Sequence, residues 1–283
     1  MCNAQCLDFV RASASADVVK GRRVLEVGAL DVNGTPRSSL EELGPASYVG
    51  IDLVQGPGVD IVCPAEKIIE QFGRNSFDMV VTTEMIEHVG DWRRVISNLK
   101  QVLTSNGLLI LTTRSLGFPQ HDYPSDFWRF EPSDMRVIFS DFEIVSIEQD
   151  EPESPGVFVA ARRPEAFEEI SLDGHALYSM ICERRVITVE QAEEWQAAQS
   201  QVEDLRLEFE VALARIQELE SSLDESRLNR EQLEQDGRRL EEERAKLEEE
   251  LRALRSTRTF RYTAGLRELY TNVRSAHARK FTS

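Results

Sequence analysis

Between residues 202 and 254 sixteen positions follow one another at alternating steps of three and four. Twelve of them are apolar: Val202, Leu205, Phe209, Ala212, Ile216, Leu219, Leu223, Leu233, Leu240, Leu247, Leu251 and Leu254. A 3.5-residue repeat held this long commits the stretch to one helix whose apolar seam is covered by another, a left-handed coiled coil of roughly 80 Å. Ser226, Arg230, Gly237 and Arg244 interrupt the seam, and Gly237 weakens the helix locally. A parallel homodimer is expected. The g and e positions between Asp236 and Glu250 are acidic and oppose it, but Arg244 is placed to meet Glu243 across the pair. A single solvated helix is the alternative, and the closing run of leucines argues against it. Thr188 with Gln191 resembles a capping box at the helix start.

Charge divides the chain. Lys and Arg number 33 against 50 Asp and Glu, a net −17, which disfavours a general affinity for nucleic acid. Residues 1–164 hold 15 basic and 24 acidic side chains, 165–189 hold 2 and 5, 190–255 hold 10 and 20, and 256–283 hold 6 and 1. These limits define a globular domain, a linker, the coiled coil and a basic tail. Cys2, Cys6, Cys63 and Cys182 show no paired spacing, as expected in a reducing compartment without structural zinc. No apolar run approaches the roughly 18 residues of a membrane span, and the first twenty residues lack a signal-peptide core. A cytoplasmic location is expected.

The first region alternates short apolar runs with amphipathic stretches, the pattern of a parallel sheet covered by helices. Strands are predicted at 23–27, 47–52, 60–62, 77–82 and 108–113, with later runs at 142–148 and 157–161 joined by a turn at 152–156. Helices are predicted at 65–72, from Asp91 to about Thr104, and at 132–139. The fold class is α/β: a doubly wound, mostly parallel, seven-stranded Rossmann-like sheet with a terminal β-hairpin, followed by the helical coiled coil.

The chemistry begins at Val24-Leu25-Glu26-Val27-Gly28, a strand running into a glycine turn where such folds bind nucleotides. Gly28 lets a ligand approach the backbone, and Glu26 suits a cationic or amino-bearing one. A second strand ends in Asp52, which can accept both hydroxyl protons of a ribose.

Taken with Phe77-Asp78-Met79-Val80-Val81-Thr82-Thr83-Glu84 and Leu103-Thr104-Ser105-Asn106-Gly107-Leu108, these segments resemble, in order and spacing, the class I S-adenosylmethionine (SAM)-dependent methyltransferases over residues 20–163. A dinucleotide dehydrogenase shares only the first two features. The resemblance implies SAM as cofactor, held by Glu26, Gly28, Asp52, Ala65, Glu66 and Thr83. The chain departs from the family twice: Leu30 and Val32 stand where further glycines usually do, and Pro64 stands where an Asp often binds adenine.

Methyl transfer is an in-line displacement, so the protein mainly positions the acceptor and removes a hydroxyl proton. Glu84-Met85-Ile86-Glu87-His88 supplies the groups; on a helix Glu84, Glu87 and His88 would share one face. His88 is the expected base, because imidazole is the side chain suited to exchanging a proton near neutral pH, with Glu84 and His121 beside it. E-x-x-E-H also resembles the cation-binding motif of small-RNA 3′-terminal 2′-O-methyltransferases and some quinone-pathway O-methyltransferases. That resemblance implies a divalent cation on Glu84, Glu87, His88 and His121, a less favoured reading. A helix-cap and scaffold role is the third.

His121 to Phe130 follows the fifth strand. Its aromatics suit stacking on a sugar, with Asp122 or Arg129 fixing hydroxyls, or else form a packed lid. The stretch resembles a motif of methyltransferases found among bacterial cell-surface polysaccharide genes, which implies a sugar or glycan hydroxyl as acceptor. His175 and His277 have no companions and are expected at the surface. In the tail Arg258, Arg261, Arg267, Arg274, Arg279 and Lys280 flank Phe260, Tyr262, Leu266, Leu269 and Val273. Such a segment can lie on an anionic membrane, join an envelope-assembly complex, dock on the acidic domain, or stay disordered. Alternative readings of the whole are a metal-assisted RNA 2′-O-methyltransferase and a non-catalytic coiled-coil scaffold with a degenerate SAM site.

Overall fold

The computed structural model describes residues 4–121, 125–257 and 263–280, with side chains to residue 272. The expectations for Cys2, Asp122, Tyr123, Arg258, Phe260, Arg261 and Tyr262, and for the side chains of Val273, Arg274, His277, Arg279 and Lys280, lie outside the described residues. The chain divides into two units, residues 1–202 and 203–283.

The first unit opens with α1 (Ala4–Ser13), α2 (Ala16–Val19), β1 (Arg23–Val27), α3 (Arg37–Glu41), β2 (Ser47–Asp52) and β3 (Ile61–Val62). It continues with α4 (Ile68–Phe72), β4 (Phe77–Thr83), α5 (Trp92–Val102), β5 (Leu103–Arg114), β6 (Trp128–Arg129), α6 (Pro132–Ile138), β7 (Glu143–Gln149) and β8 (Gly156–Arg162). Two further strands follow, β9 (Leu177–Ser179) and β10 (Arg184–Val186). Seven strands form one sheet in the order β3-β2-β1-β4-β5-β8-β7. The pairs from β3 to β5 are parallel, and β8 runs antiparallel to both β5 and β7.

Alternation along the central strands divides the core. Leu25, Val27, Val80, Leu109 and Leu111 face one layer with Trp92, Ile96 and Leu99 of α5. Val24, Met79, Val81, Leu108 and Ile110 face the other with Phe9 and Val10 of α1. Asp91 caps α5, accepting the Arg94 amide at 3.2 Å. The helix ends at Val102, where β5 starts, and the chain turns at Asn106 with φ +60°. The helix expected over 65–72 is divided into a 3₁₀ turn (Ala65–Lys67) and α4.

Residues 165–189 are not a linker. β9 pairs with β6 and β10 with β9 in a second, three-stranded sheet. Arg93 of α5 donates to the carbonyls of Leu172 (2.8 Å), Ile187 (2.6 Å) and His175. His175 is not a lone surface residue: its Nε2 lies 3.0 Å from Asp134 Oδ1. A guanidinium that needs several acceptors draws this irregular segment onto the domain.

The second unit is helical. Most of α7 (Val189–Ser256) lies in it, with α8 (Ala264–Lys280) after it. Thr188 accepts the Gln191 amide at 3.3 Å, while the Gln191 side chain accepts from Ile187 rather than from Thr188. The seam residues of α7 are exposed, Leu233 at 71% and Leu247 at 64%. Among the described residues no helix is long and apolar enough to cross a membrane.

Candidate active site

The sheet reverses its winding between β1 and β4, and a crevice opens beyond the carboxyl ends of these strands, as the topology requires. It is a cavity of about 570 Å³, within the range of small-molecule sites. Glu26, Gly28, Asp52, Ala65, Glu66 and Thr83 line it, as do Glu84, His88 and His121. Nine residues spread over almost a hundred positions therefore meet at one hollow.

Gly28 leaves β1 with φ +80°, a conformation that L side chains rarely adopt. A Cβ there would also fall 2.8 Å from Met85 Cγ. Asp52, at the end of β2, accepts the Leu30 amide at 3.1 Å through Oδ2, so the turn after β1 and the end of β2 form one lip. Leu30 and Val32 line the cavity beside Gly34, whose φ of +111° supplies a second tight bend three residues after Asp31. Ala65 is fixed from α5, its carbonyl accepting Asn98 Nδ2 at 3.0 Å.

Glu26 is buried within β1. Burial pushes its carboxyl up to about 7, although hydroxyls from Tyr48 (2.7 Å) and Thr35 (2.8 Å) and the nearby Arg37 charge favour the ionised form. Tyr48 stands one diagonal step from Glu26 across the β1–β2 register, where Glu26 faces Gly50 and Val24 faces Tyr48. Sequence reasoning missed this partner; the parallel register between two recognised strands was the signal that could have found it.

At the end of β4 the structure departs from a shared helical face. Glu84 has φ +51°, and only Ile86–His88 form a 3₁₀ turn. Glu84 is turned inward: it forms a buried ion pair with Arg114 and accepts from the Cys6 thiol at 3.2 Å. Burial first, and the neighbouring Glu87 next, hold its carboxyl well above the usual range. Its side chain is thus engaged by Arg114 and Cys6, while ligand-type atoms of Glu87, His88 and His121 lie within 4.8 Å of one another.

His88 Nδ1 lies 2.9 Å from the carbonyl oxygen of Ser125. A carbonyl can only accept, so Nδ1 carries the proton and the neutral ring presents Nε2 as its lone pair. His121 packs edge-on against His88, ring centroids 4.7 Å apart. Asp126 holds it, accepting the His121 amide at 2.8 Å and lying 3.1 Å from Nδ1. Burial would raise the Asp126 carboxyl, but bonds from Arg129 and His121 outweigh it and keep it well below the ordinary carboxylate range.

Arg129 is fully buried and bound to Asp126 at 2.6 and 2.7 Å, so it does not reach out to an acceptor. Trp128 and Phe130 are core residues, the Trp128 indole donating to Val89 O at 2.9 Å. The packed-lid reading describes these three.

Residues 25–111, about a third of the chain, match the family described as a methyltransferase domain. No curated protein matches the sequence. Similar solved structures include 1,6-didemethyltoxoflavin-N1-methyltransferase from Burkholderia thailandensis, with bound substrate and S-adenosylhomocysteine (16% identity, 56% of this chain, 78% of that chain, TM-score 0.45). A SAM-dependent methyltransferase from Mesorhizobium loti is similar at 18% identity (54% and 95%, TM-score 0.43). Phosphoethanolamine N-methyltransferase 2 from Haemonchus contortus with SAM is similar at 16% (56% and 52%, TM-score 0.45). The matched residues 25–111 run from β1 to β5, the parallel strands that frame the cavity, and over that stretch the chain is similar to a methyltransferase domain.

Proposed function

We propose that the chain is an O-methyltransferase that uses SAM to methylate a hydroxyl of a sugar, a glycan or a related small molecule. The observation that carries this reading is the meeting of Glu26, Gly28 and Asp52 with His88 and His121 around one cavity. The donor set fits the cofactor: a carboxylate at Asp52 for a vicinal diol, a buried carboxylate at Glu26 for an amino group, and apolar Leu30, Leu53 and Val89 for a flat ring. When bound, SAM supplies an electrophilic methyl group on a sulfonium. The protein's share is to align the acceptor and take its proton. His88 does the latter through Nε2, since Nδ1 is engaged by Ser125. The hydroxyl acceptor rests on that base and on the resemblance of the His121–Phe130 stretch. We further propose that α7 pairs with a second copy through its exposed seam, and that the basic tail serves a peripheral membrane or envelope-assembly contact.

Calorimetry with SAM and S-adenosylhomocysteine tests the cofactor. A folded sample that binds neither ends the methyltransferase reading. Methyl-labelled SAM incubated with glycan, small-molecule and RNA extracts, followed by mass spectrometry, tests the acceptor. Label confined to nitrogen or to RNA would replace it.

A further inference from the structure

The loop after β2 is built against the turn after β1. The Asp31 amide donates to the Pro57 carbonyl at 2.9 Å, the Val59 amide to Gly56 O at 3.1 Å, and Arg37 Nη1 to Gly58 O at 3.0 Å. With the Leu30 amide on Asp52 at 3.1 Å, the backbone is tied on both sides of the Leu30 side chain. That side chain lines the cavity and runs directly over Gly56, where a Cβ would fall 2.3 Å from Leu30 Cδ1. Apart from Leu30 Cγ at 3.8 Å, no other atom outside the adjoining residues would lie within 4 Å of it. The neighbouring glycines are of another kind. A Cβ on Gly58 would fall 2.3 Å from Ala29 O and one on Gly50 2.2 Å from Gly58 O, so substitution there displaces backbone. At Gly56 only the end of one flexible side chain is in the way, and it belongs to the cavity wall.

We infer that Leu30 and Gly56 are a matched pair: Leu30 forms the wall of the cavity next to Asp52, and Gly56 is the positioning residue that keeps this wall seated and the nucleoside end of the site open. The physical reason is contact distance. Carbon atoms that touch stand roughly 3.5–4.0 Å apart, so a methyl group placed 2.3 Å from Cδ1 excludes the present position of Leu30 outright. The backbone on either side is held, so the side chain must give way, and the open space beside it is the cavity it lines. In this chain the residue without a side chain therefore stands across the contact, at position 56, instead of at position 30. The inference deepens the proposed function and rests on it for the identity of the ligand.

The test is binding, read without turnover. Calorimetric titrations of the full chain with SAM and with S-adenosylhomocysteine compare wild type, Gly56→Ala, Leu30→Ala and the double variant, each checked by circular dichroism. Gly56→Ala is expected to weaken both ligands at least tenfold in the wild-type background and less than twofold on the Leu30→Ala background, the non-additivity of two groups in contact. A defect confined to the loop's backbone would weaken binding alike in either background. No loss on Gly56→Ala, or equal losses in the two backgrounds, overturns the inference and leaves the proposed function standing, since the wild type still binds SAM. Should Gly56→Ala fail to fold, adding Leu30→Ala is expected to restore folding; a double variant that stays unfolded overturns the pairing as well. Wild-type protein that binds neither ligand ends the functional reading and the inference with it.

Discussion

The Tyr48 hydroxyl donates to Glu26 Oε2 across 2.7 Å, from one strand to the next, beside the turn at Gly28. That bond favours the ionised carboxylate, yet burial outweighs it and leaves Glu26 charging only near pH 7. Two consequences follow for one side chain. A cationic ligand that needs the carboxylate must drive a proton off below pH 7, so SAM affinity is expected to fall toward tenfold per unit as pH drops from 7 to 5. Calorimetry in two buffers of different ionisation heat should count close to one proton released at pH 6, and Glu26→Gln should abolish the dependence. Stability moves oppositely. The unfolded chain loses this proton near 4.5 and the folded chain near 7, so Glu26 lowers stability as pH rises through that window, by roughly 3 kcal/mol in all. Denaturant melts of wild type and Glu26→Gln between pH 4.5 and 7.5 measure the difference.

Asp52 joins the two halves of the cavity lip through the Leu30 amide. Asp52→Ala removes both that brace and the acceptor for a diol, and is expected to weaken SAM binding ten- to a hundredfold, about 1.5–3 kcal/mol. With SAM saturating, turnover should recover most of its wild-type value. A loss confined to turnover would exclude Asp52 from the cofactor end.

Lys100 is wholly buried and donates to both oxygens of Asp141 at 2.8 Å and to Ile138 O at 2.6 Å. Burial pulls its ammonium pKa down, opposed by Asp141. Lys100→Met strands a carboxylate that is 1% exposed and is expected to destabilise the fold by about 3–5 kcal/mol. Adding Asp141→Leu should restore more than half of that loss in chemical denaturation.

Seam leucines of α7 are exposed throughout, from Leu251 at 48% to Leu233 at 71%. Light scattering should find the full chain as a dimer at micromolar concentration. Leu247→Glu with Leu251→Glu should halve the mass while leaving SAM binding intact. An unchanged mass would assign the self-association to another surface.

The sheet was legible because β1, β4 and β5 carry the alternation that two covered faces impose, and because Gly28 and Asp52 mark strand ends. Two things were not. Residues 165–187 have no period to detect: three-residue strands pair with a two-residue β6, and the holding group, Arg93, lies some eighty residues away. Around Glu84 a helical spacing suggested one face, but a left-handed residue breaks the chain's direction at that point, and the fourth expected ligand turns to Arg114. Asp126, which sets His121, lies within the stretch from His121 to Phe130, yet only the structure reveals that its carboxylate meets the amide five residues back.

Arg93 grips three carbonyls that belong to the chain beyond the last strand of the large sheet. A fragment cut where that sheet finishes would leave its half-buried guanidinium facing apolar neighbours with nothing to receive its protons. Such a fragment would report on a damaged fold; the shortest honest piece for crystallisation or assay must run past Ile187.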